Sequence, residues 1–305
     1  MSRVLVVGSS NTDMIIRVPR IPRPGETILG GTFAMAAGGK GANQAVAAAR
    51  AGGEVIFVAR VGGDVFGRQA LAGFEADGID TRFVERTEGS PSGVALINVD
   101  DRGENSISVA SGANARLSLE DIGRAKEAFA EADIVLLQLE SPLEAVAAAV
   151  RMAREARVPV ILNPAPALPL DDALLSQITV LTPNEHEASI LIGLPVENEF
   201  DARMAAKRLR ARGPETVIVT LGAKGVLVSA AGVMGLLPAF AVEPVDTTAA
   251  GDVFNGALAV ALAEKRPLAD AIRFAQAAAA ISVTRPGAQP SAPSRAEIEA
   301  FLETR

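Results

Sequence analysis

The chain has 305 residues, 49% of them apolar, and a formal net charge of −7. That is enough for one large domain with a sizeable core, and the acidic balance argues against a nucleic-acid-binding surface. Cysteine, tryptophan and tyrosine are absent and His186 is the single histidine, so disulfides, thiolate or histidine-rich metal sites and Ser-His-Asp catalysis have almost no material to work with.

The opening run, MSRVLVVGSS, reads as a short buried strand over Val4–Val7 and lacks the long apolar stretch of a signal peptide. The longest apolar runs, such as Ile134–Leu137 and Ala277–Ile281, are far too short to cross a bilayer. A cytoplasmic protein that binds no membrane and no nucleic acid is expected. Next, Asp13–Thr32 holds Pro19, Pro22 and Pro24 and shows no helical period. A helix is expected over Lys40–Ala51, a strand over Val55–Ala59 and a helix over Phe66–Ala76. Two strands, Val94–Val99 and Ser106–Val109, flank the turn DDRGEN. Further on come a helix over Leu119–Ala130, a strand over Ile134–Gln138 and a helix over Leu143–Glu155. Strands over Pro159–Leu162 and Ile178–Leu181 precede helices over Glu185–Ile192 and Ala202–Arg212. A strand over Val217–Leu221 follows, and a last helix starts near Gly251.

The strand runs are continuously apolar rather than alternating, the pattern of strands buried on both faces of a parallel sheet. Their alternation with helices gives an α/β, doubly wound, mostly parallel sheet with helices on both faces, with residues 1–305 as a single domain. Segments at about 13–37 and 92–110 have no room among the βαβ units. They are expected to form a small β-sheet lid built from two insertions; a pair of ordinary surface loops is the plainer alternative.

Two glycine-bearing motifs stand out. In GGKGANQ, Gly38–Gln44, the glycines sit at a helix N-terminus, where unpaired N–H groups and the positive dipole end face outward. It is neither a Walker A loop nor a GxGxxG turn after a strand, and read alone it is either a ligand-approach site or a glycine-rich turn with a surface lysine. In VDTTAAGDVFNG, Val245–Gly256, the small residues Ala249, Ala250 and Gly251 put bare amides at a helix start beside Asp252. Asp252 is then a helix-end charge partner, or a general base acting next to amides that hold developing negative charge.

Together these motifs closely resemble the two signature regions of the ribokinase family of carbohydrate and nucleoside kinases. They occur in the same order, about 200 residues apart, and the likeness extends through GSSNTD, LQLESPLE, LNPAP, TPNEHEA, VTLGAKGV and TRPGAQPS. Within the family the chain is more similar to the ribose-phosphorylating members than to adenosine kinases or fructose-phosphate kinases. The resemblance implies ATP-dependent phosphorylation of D-ribose at its 5-hydroxyl, with Asp252 as base and the amides of Ala249, Ala250 and Gly251 as anion hole. It implies sugar contacts from Asn11, Asp13, Gly39, Lys40, Asn43 and Glu140, and nucleotide contacts from Asn184, Thr220, Gly222, Lys224, Gly225, Gly251, Asn255 and Gln276. It places Mg²⁺ near Asn184 and Glu187, with His186 between them left out because magnesium prefers oxygen. It also places a monovalent cation, K⁺, among Asp246, Thr248, Ser282, Arg285, Gly287 and Ser291, mostly through carbonyls.

Two other expectations compete with ribose phosphorylation. One is a kinase of 2-deoxyribose, a nucleoside or a keto-sugar acid; the other is a sugar- or nucleotide-sensing protein without catalysis. A homodimer joined through the lids is expected, with Ile15, Ile16, Val18, Ile28 and Leu29 as candidate contact groups.

Overall fold

A computed structural model describes residues 2–305. The first apolar run becomes β1 (Arg3–Val7). Val4 and Val6 of that strand join one hydrophobic cluster, Leu5 and Val7 another on the opposite face. A strand covered on both sides has no solvent-facing positions, hence the unbroken apolar run.

In chain order there follow β2 (Asn11–Arg17), β3 (Thr32–Gly38), α1 (Lys40–Arg50), β4 (Glu54–Gly62), α2 (Val65–Ala76), β5 (Asp80–Thr87), β6 (Gly93–Val99) and β7 (Asn105–Ala110). The middle of the chain supplies α3 (Leu119–Arg124), α4 (Lys126–Glu131), β8 (Ile134–Leu137), α5 (Leu143–Ala156), β9 (Val160–Leu162), α6 (Asp172–Leu175) and β10 (Val180–Leu181). The remainder forms α7 (Glu185–Ile192), α8 (Glu199–Ala211), β11 (Thr216–Thr220), β12 (Val226–Ala230), β13 (Val233–Leu237), α9 (Ala250–Ala263), α10 (Leu268–Ser282) and α11 (Arg295–Glu303).

Nine strands form the central sheet in the order β13-β12-β11-β10-β9-β8-β1-β4-β5. It is parallel except for the hairpin β12–β13 at one edge. From β1 the chain first builds outward to β4 and β5, then returns to place β8 on the other side of β1. Strand order therefore reverses between β1 and β8, and open α/β sheets bind ligands beyond the C-terminal ends of strands at such a point.

Two expected elements change. The helix over Leu119–Ala130 is divided into α3 and α4 at Ala125. The strand over Ile178–Leu181 shrinks to the two residues of β10, because only Val180 and Leu181 pair with both β9 and β11.

A separate sheet of four strands, β3-β2-β6-β7, stands off the central one. Its register sets Asn11 opposite Gly38 and Gly93, and Asp13 opposite Ala36 and Ala95. Those small neighbours are required: a Cβ at Gly38 would strike the Asp13 carboxylate, and one at Gly93 the Asn11 amide oxygen. Alternation puts Asn11, Asp13 and Ile15 on one face and Ile16, Phe33, Met35 and Leu96 on the other, where the last four are exposed. At the base, Asn114 accepts from the Ser10 amide at 2.9 Å and donates to the Ser10 carbonyl and to Asn11 Oδ1 at 3.1 and 2.7 Å.

Candidate active site

Two helix starts meet at the reversal point. Helix α1 begins at Gly39, whose φ of 89° suits glycine and whose end has no side-chain cap. Gly39 and Gly41 lie so close to the backbone of Gly8–Asn11 that neither could carry a Cβ, so GSSN and GGKG pack main chain on main chain. Just past β8, Glu140 reaches the same helix end, where its Oε2 accepts from the Lys40 amide at 2.9 Å and from Ser9 Oγ at 2.6 Å. A carboxylate there complements the positive end of the helix.

Helix α9 begins at Ala249, held in the left-handed region with φ 58° and likewise without a side-chain cap. The Ala250 amide donates to the Thr247 carbonyl at 3.2 Å, while those of Ala249, Gly251 and Asp252 have no protein partner among the described residues. Of the three amides expected to form an anion hole, that of Ala250 is thus already engaged. Helices α1 and α9 cross at Gly256, where a Cβ would meet the Gln44 carbonyl at 2.6 Å, so the two first turns lie side by side.

The side chains then converge on Asp252, itself buried. Asn43 Nδ2 donates to its Oδ2 at 3.0 Å and Gln44 Nε2 to its Oδ1 at 2.9 Å. Burial pushes the Asp252 carboxyl up, against the opposing pull of Lys40 and these two amides. Asn43 Oδ1 is buried with no partner among the described residues, which leaves an acceptor for a ligand hydroxyl. Burial also pushes Asp13 up to about 6, helped by the charges of Glu140 and Asp252. Desolvation works against the Lys40 ammonium, yet Asp252, Glu140, Glu187 and Asp13 together hold its pKa above the ordinary lysine value.

A cavity of about 200 Å³ opens beside Asp252. Of the expected nucleotide residues it gathers Asn184, Thr220, Gly251 and Asn255, together with Glu187, expected near magnesium, and Lys40. Asn163, Ala165 and Thr182 also line it, and the sequence reading did not single them out. Asn184 and Glu187 form a reciprocal capping box: Asn184 Oδ1 accepts from the Glu187 amide at 2.8 Å, and Glu187 Oε2 from the Asn184 amide at 2.8 Å. Burial raises the Glu187 carboxyl in spite of this bond. Thr220 pairs with Asn184 across an isolated bridge. Gly222, Lys224, Gly225 and Gln276 do not line the cavity. Gly222 and Gly225 shape the turn after β11 with φ of 55° and 106°. Lys224 is exposed, 3.8 Å from Glu185, and Gln276 donates to the Leu237 carbonyl at 3.0 Å. His186 is exposed on α7.

The sequence pattern of the pfkB family carbohydrate kinases matches residues 1–295. The chain belongs to that family. This kinase is 48% identical to a ribokinase of Haemophilus influenzae, over 98% of this chain and 97% of that one. It is 39% identical to a deoxyribokinase of Salmonella typhi, over 98% of each. Among solved structures, a ribokinase of Arabidopsis thaliana complexed with ribose and ATP superposes with a TM-score of 0.91 at 35% identity, covering 99% of each chain.

Within this kinase, three of the residues expected around a monovalent cation, Asp246, Thr248 and Gly287, are joined just before α9. Asp246 Oδ1 accepts from the Thr248 amide at 2.9 Å and Oδ2 from the Gly287 amide at 2.8 Å, which ties the segment before α9 to the turn after α10. Burial opposes its charge, but these bonds hold the carboxyl below its usual range. Ser282 and Ser291 donate to the carbonyls of Ala279 and Ala288, at 2.9 and 2.7 Å, and Arg285 pairs with Glu297 at 2.6 Å. Arg285 is thereby engaged with Glu297, whereas the donating serine hydroxyls keep their oxygen lone pairs.

Proposed function

We propose that the protein transfers the γ-phosphoryl group of ATP to the 5-hydroxyl of D-ribose, giving ribose 5-phosphate and ADP. The observation that carries this reading is Asp252: a buried acid, fixed by two amide donors, at a helix start whose free amides face the same cavity. The sugar oxygen attacks the γ-phosphorus, its proton passes to Asp252, and the bond to the β–γ bridging oxygen breaks. The free amides at the start of α9 stabilise the charge on the transferring group. Asn11, Asp13, Gly39, Lys40, Asn43 and Glu140 hold the sugar under the small sheet, which acts as a lid and excludes water. Asn184, Thr220, Gly222, Lys224, Gly225, Asn255 and Gln276 serve the nucleotide.

Glu187 would help to hold magnesium, which would neutralise phosphate charge. The fit rests on hard oxygen donors, since Glu187 and Asn184 both line the cavity. Potassium fits the carbonyl-lined turn around Asp246. The exposed Ile16, Phe33, Met35 and Leu96 supply an apolar face for a homodimer through the lids. Val18 is buried and unsuited to that role, while Leu29 is 87% exposed and available. A monomer in sedimentation at working concentration would remove the dimer from this reading.

The likeness to a deoxyribokinase keeps 2-deoxyribose as a second reading. Steady-state assays of ADP formation with ribose, 2-deoxyribose and a nucleoside, with the product identified by NMR, test both. Ribose is expected to give the highest kcat/KM and a 5-phosphate. Preference for 2-deoxyribose would replace the first reading with the second, and no turnover of any sugar would remove both.

A further inference from the structure

Gln44 is completely buried, yet neither the sugar nor the nucleotide assignment uses it. Its amide makes three hydrogen bonds. Nε2 donates to Asp252 Oδ1 at 2.9 Å and to Asn163 Oδ1 at 3.0 Å, and Oε1 accepts from Gln138 Nε2 at 2.6 Å. Asn163 extends the chain by donating to the Thr182 carbonyl at 3.2 Å. Thr182 Oγ1 donates to Asn255 Oδ1 at 2.6 Å, and Asn255 Nδ2 donates to the Gly251 carbonyl at 2.8 Å. The path leaves α9 at the Asp252 carboxylate and returns to it one residue earlier, at the main chain of the first turn.

The ring has a direction. An ionised carboxylate only accepts, so Gln44 must present its NH₂ to Asp252 and turn its oxygen to Gln138. Asn163 must then accept from Gln44 and donate onward. A buried network with one sense throughout is stiff, because reversing an amide leaves two donors or two acceptors facing each other.

We propose that Gln44 is a positioning residue for phosphoryl transfer, holding the Asp252 carboxylate toward the sugar hydroxyl and, through Asn163, Thr182 and Asn255, locking that pose to the backbone of the anion hole. The inference rests on Asp252 being the base. It does not make Gln44 touch either substrate, so the effect of losing it falls on turnover rather than on affinity. The Gln44 and Asn43 N–H donors, with the charge of Lys40 on α1, pull the Asp252 carboxyl down against the upward push of burial. The carboxylates of Asp13 on β2, Glu140 after β8 and Glu187 on α7 act the other way.

The test compares Gln44→Met, which keeps length and apolar bulk without a hydrogen-bonding amide, with Gln138→Met and Asp252→Asn. The readouts are kcat, KM for both substrates, and the pH profile of kcat at saturation. For Gln44→Met we expect kcat lower by roughly 10- to 100-fold, the effect of a misplaced catalytic group. Both KM values should stay within about threefold, and the acid limb of kcat should move to higher pH, as loss of an N–H donor to a carboxylate requires. Gln138→Met, which frees the Gln44 amide to turn, should do the same to a smaller degree. Parental kcat in Gln44→Met, while Asp252→Asn is inactive, overturns the proposal. So does a fall in kcat accompanied by raised KM values and an unmoved acid limb. Should Gln44→Met not fold, parental kcat in Gln138→Met overturns it equally. An active Asp252→Asn would instead remove the base itself, a separate failure.

Discussion

Helices α7 and α9 begin at the same cavity, and each carries an acid at its third helical position, Glu187 and Asp252. At α7 the cap is Asn184, whose side chain accepts from Glu187 while Glu187 accepts in return. At α9 the cap is Ala249, which has no side-chain oxygen to offer, and the acid turns to Asn43 and Gln44 on α1 instead. A single residue three positions before the acid separates a helix start that satisfies itself from one that is left open for a ligand. The first is a joint; the second has free N–H groups and an acid with lone pairs to spare.

The sharpest way to break this contrast is Asp252→Asn. Turnover should fall by roughly two to four orders of magnitude, the range for a positioned general base, with ribose affinity by calorimetry nearly unchanged. Gly251→Ala comes next. A methyl there meets no protein atom within 4 Å, and alanine favours a helix over glycine by about 0.5–1 kcal/mol. The melting temperature should hold or rise while kcat falls roughly 10- to 100-fold, because the methyl intrudes beside the free amides.

Asp13 gives a gentler test through pH. Burial pushes its carboxyl up to about 6 from 3.8, so the ionised form proposed to hold the sugar is lost below about pH 6, and kcat/KM for the sugar should fall there by up to about tenfold per pH unit. The stability sign is opposite. A raised folded pKa contributes stability that is complete below the unfolded value and lost as pH rises through about 6, so ligand-free protein should lose this contribution across that window and Asp13→Asn should not. The smallest effect belongs to α7: Asn184→Ala removes the capping box and should cost about 1 kcal/mol in urea unfolding.

The parallel strands were legible because burial on both faces leaves an unbroken apolar run, as in Val4–Val7 and Ile134–Leu137. The edges were not. Strand β5 reads DTRFVERT, with its charges exposed at the sheet border, and the β12–β13 hairpin lies beyond the last parallel strand. In the site, both glycine motifs were visible because close backbone approach demands small residues. Gln44 was not recognised, since its partner Asp252 lies 208 positions away. One signal was available: a long amide on the same helix face as Ala47 and Ala48, a face too small and apolar to be meant for solvent. Asn163 and Thr182 sit just past β9 and β10, where the position beyond a strand end was the usable clue.

The main-chain contact between α1 and α9 at Gly256 has a mechanical consequence. Two helices touching at the backbone have no side-chain cushion through which to slide. The floor that holds Lys40, Asn43, Gln44 and Asp252 is thus clamped where the two helices meet. Any substituent at that glycine would pry the floor apart and blunt the chemistry without touching either substrate.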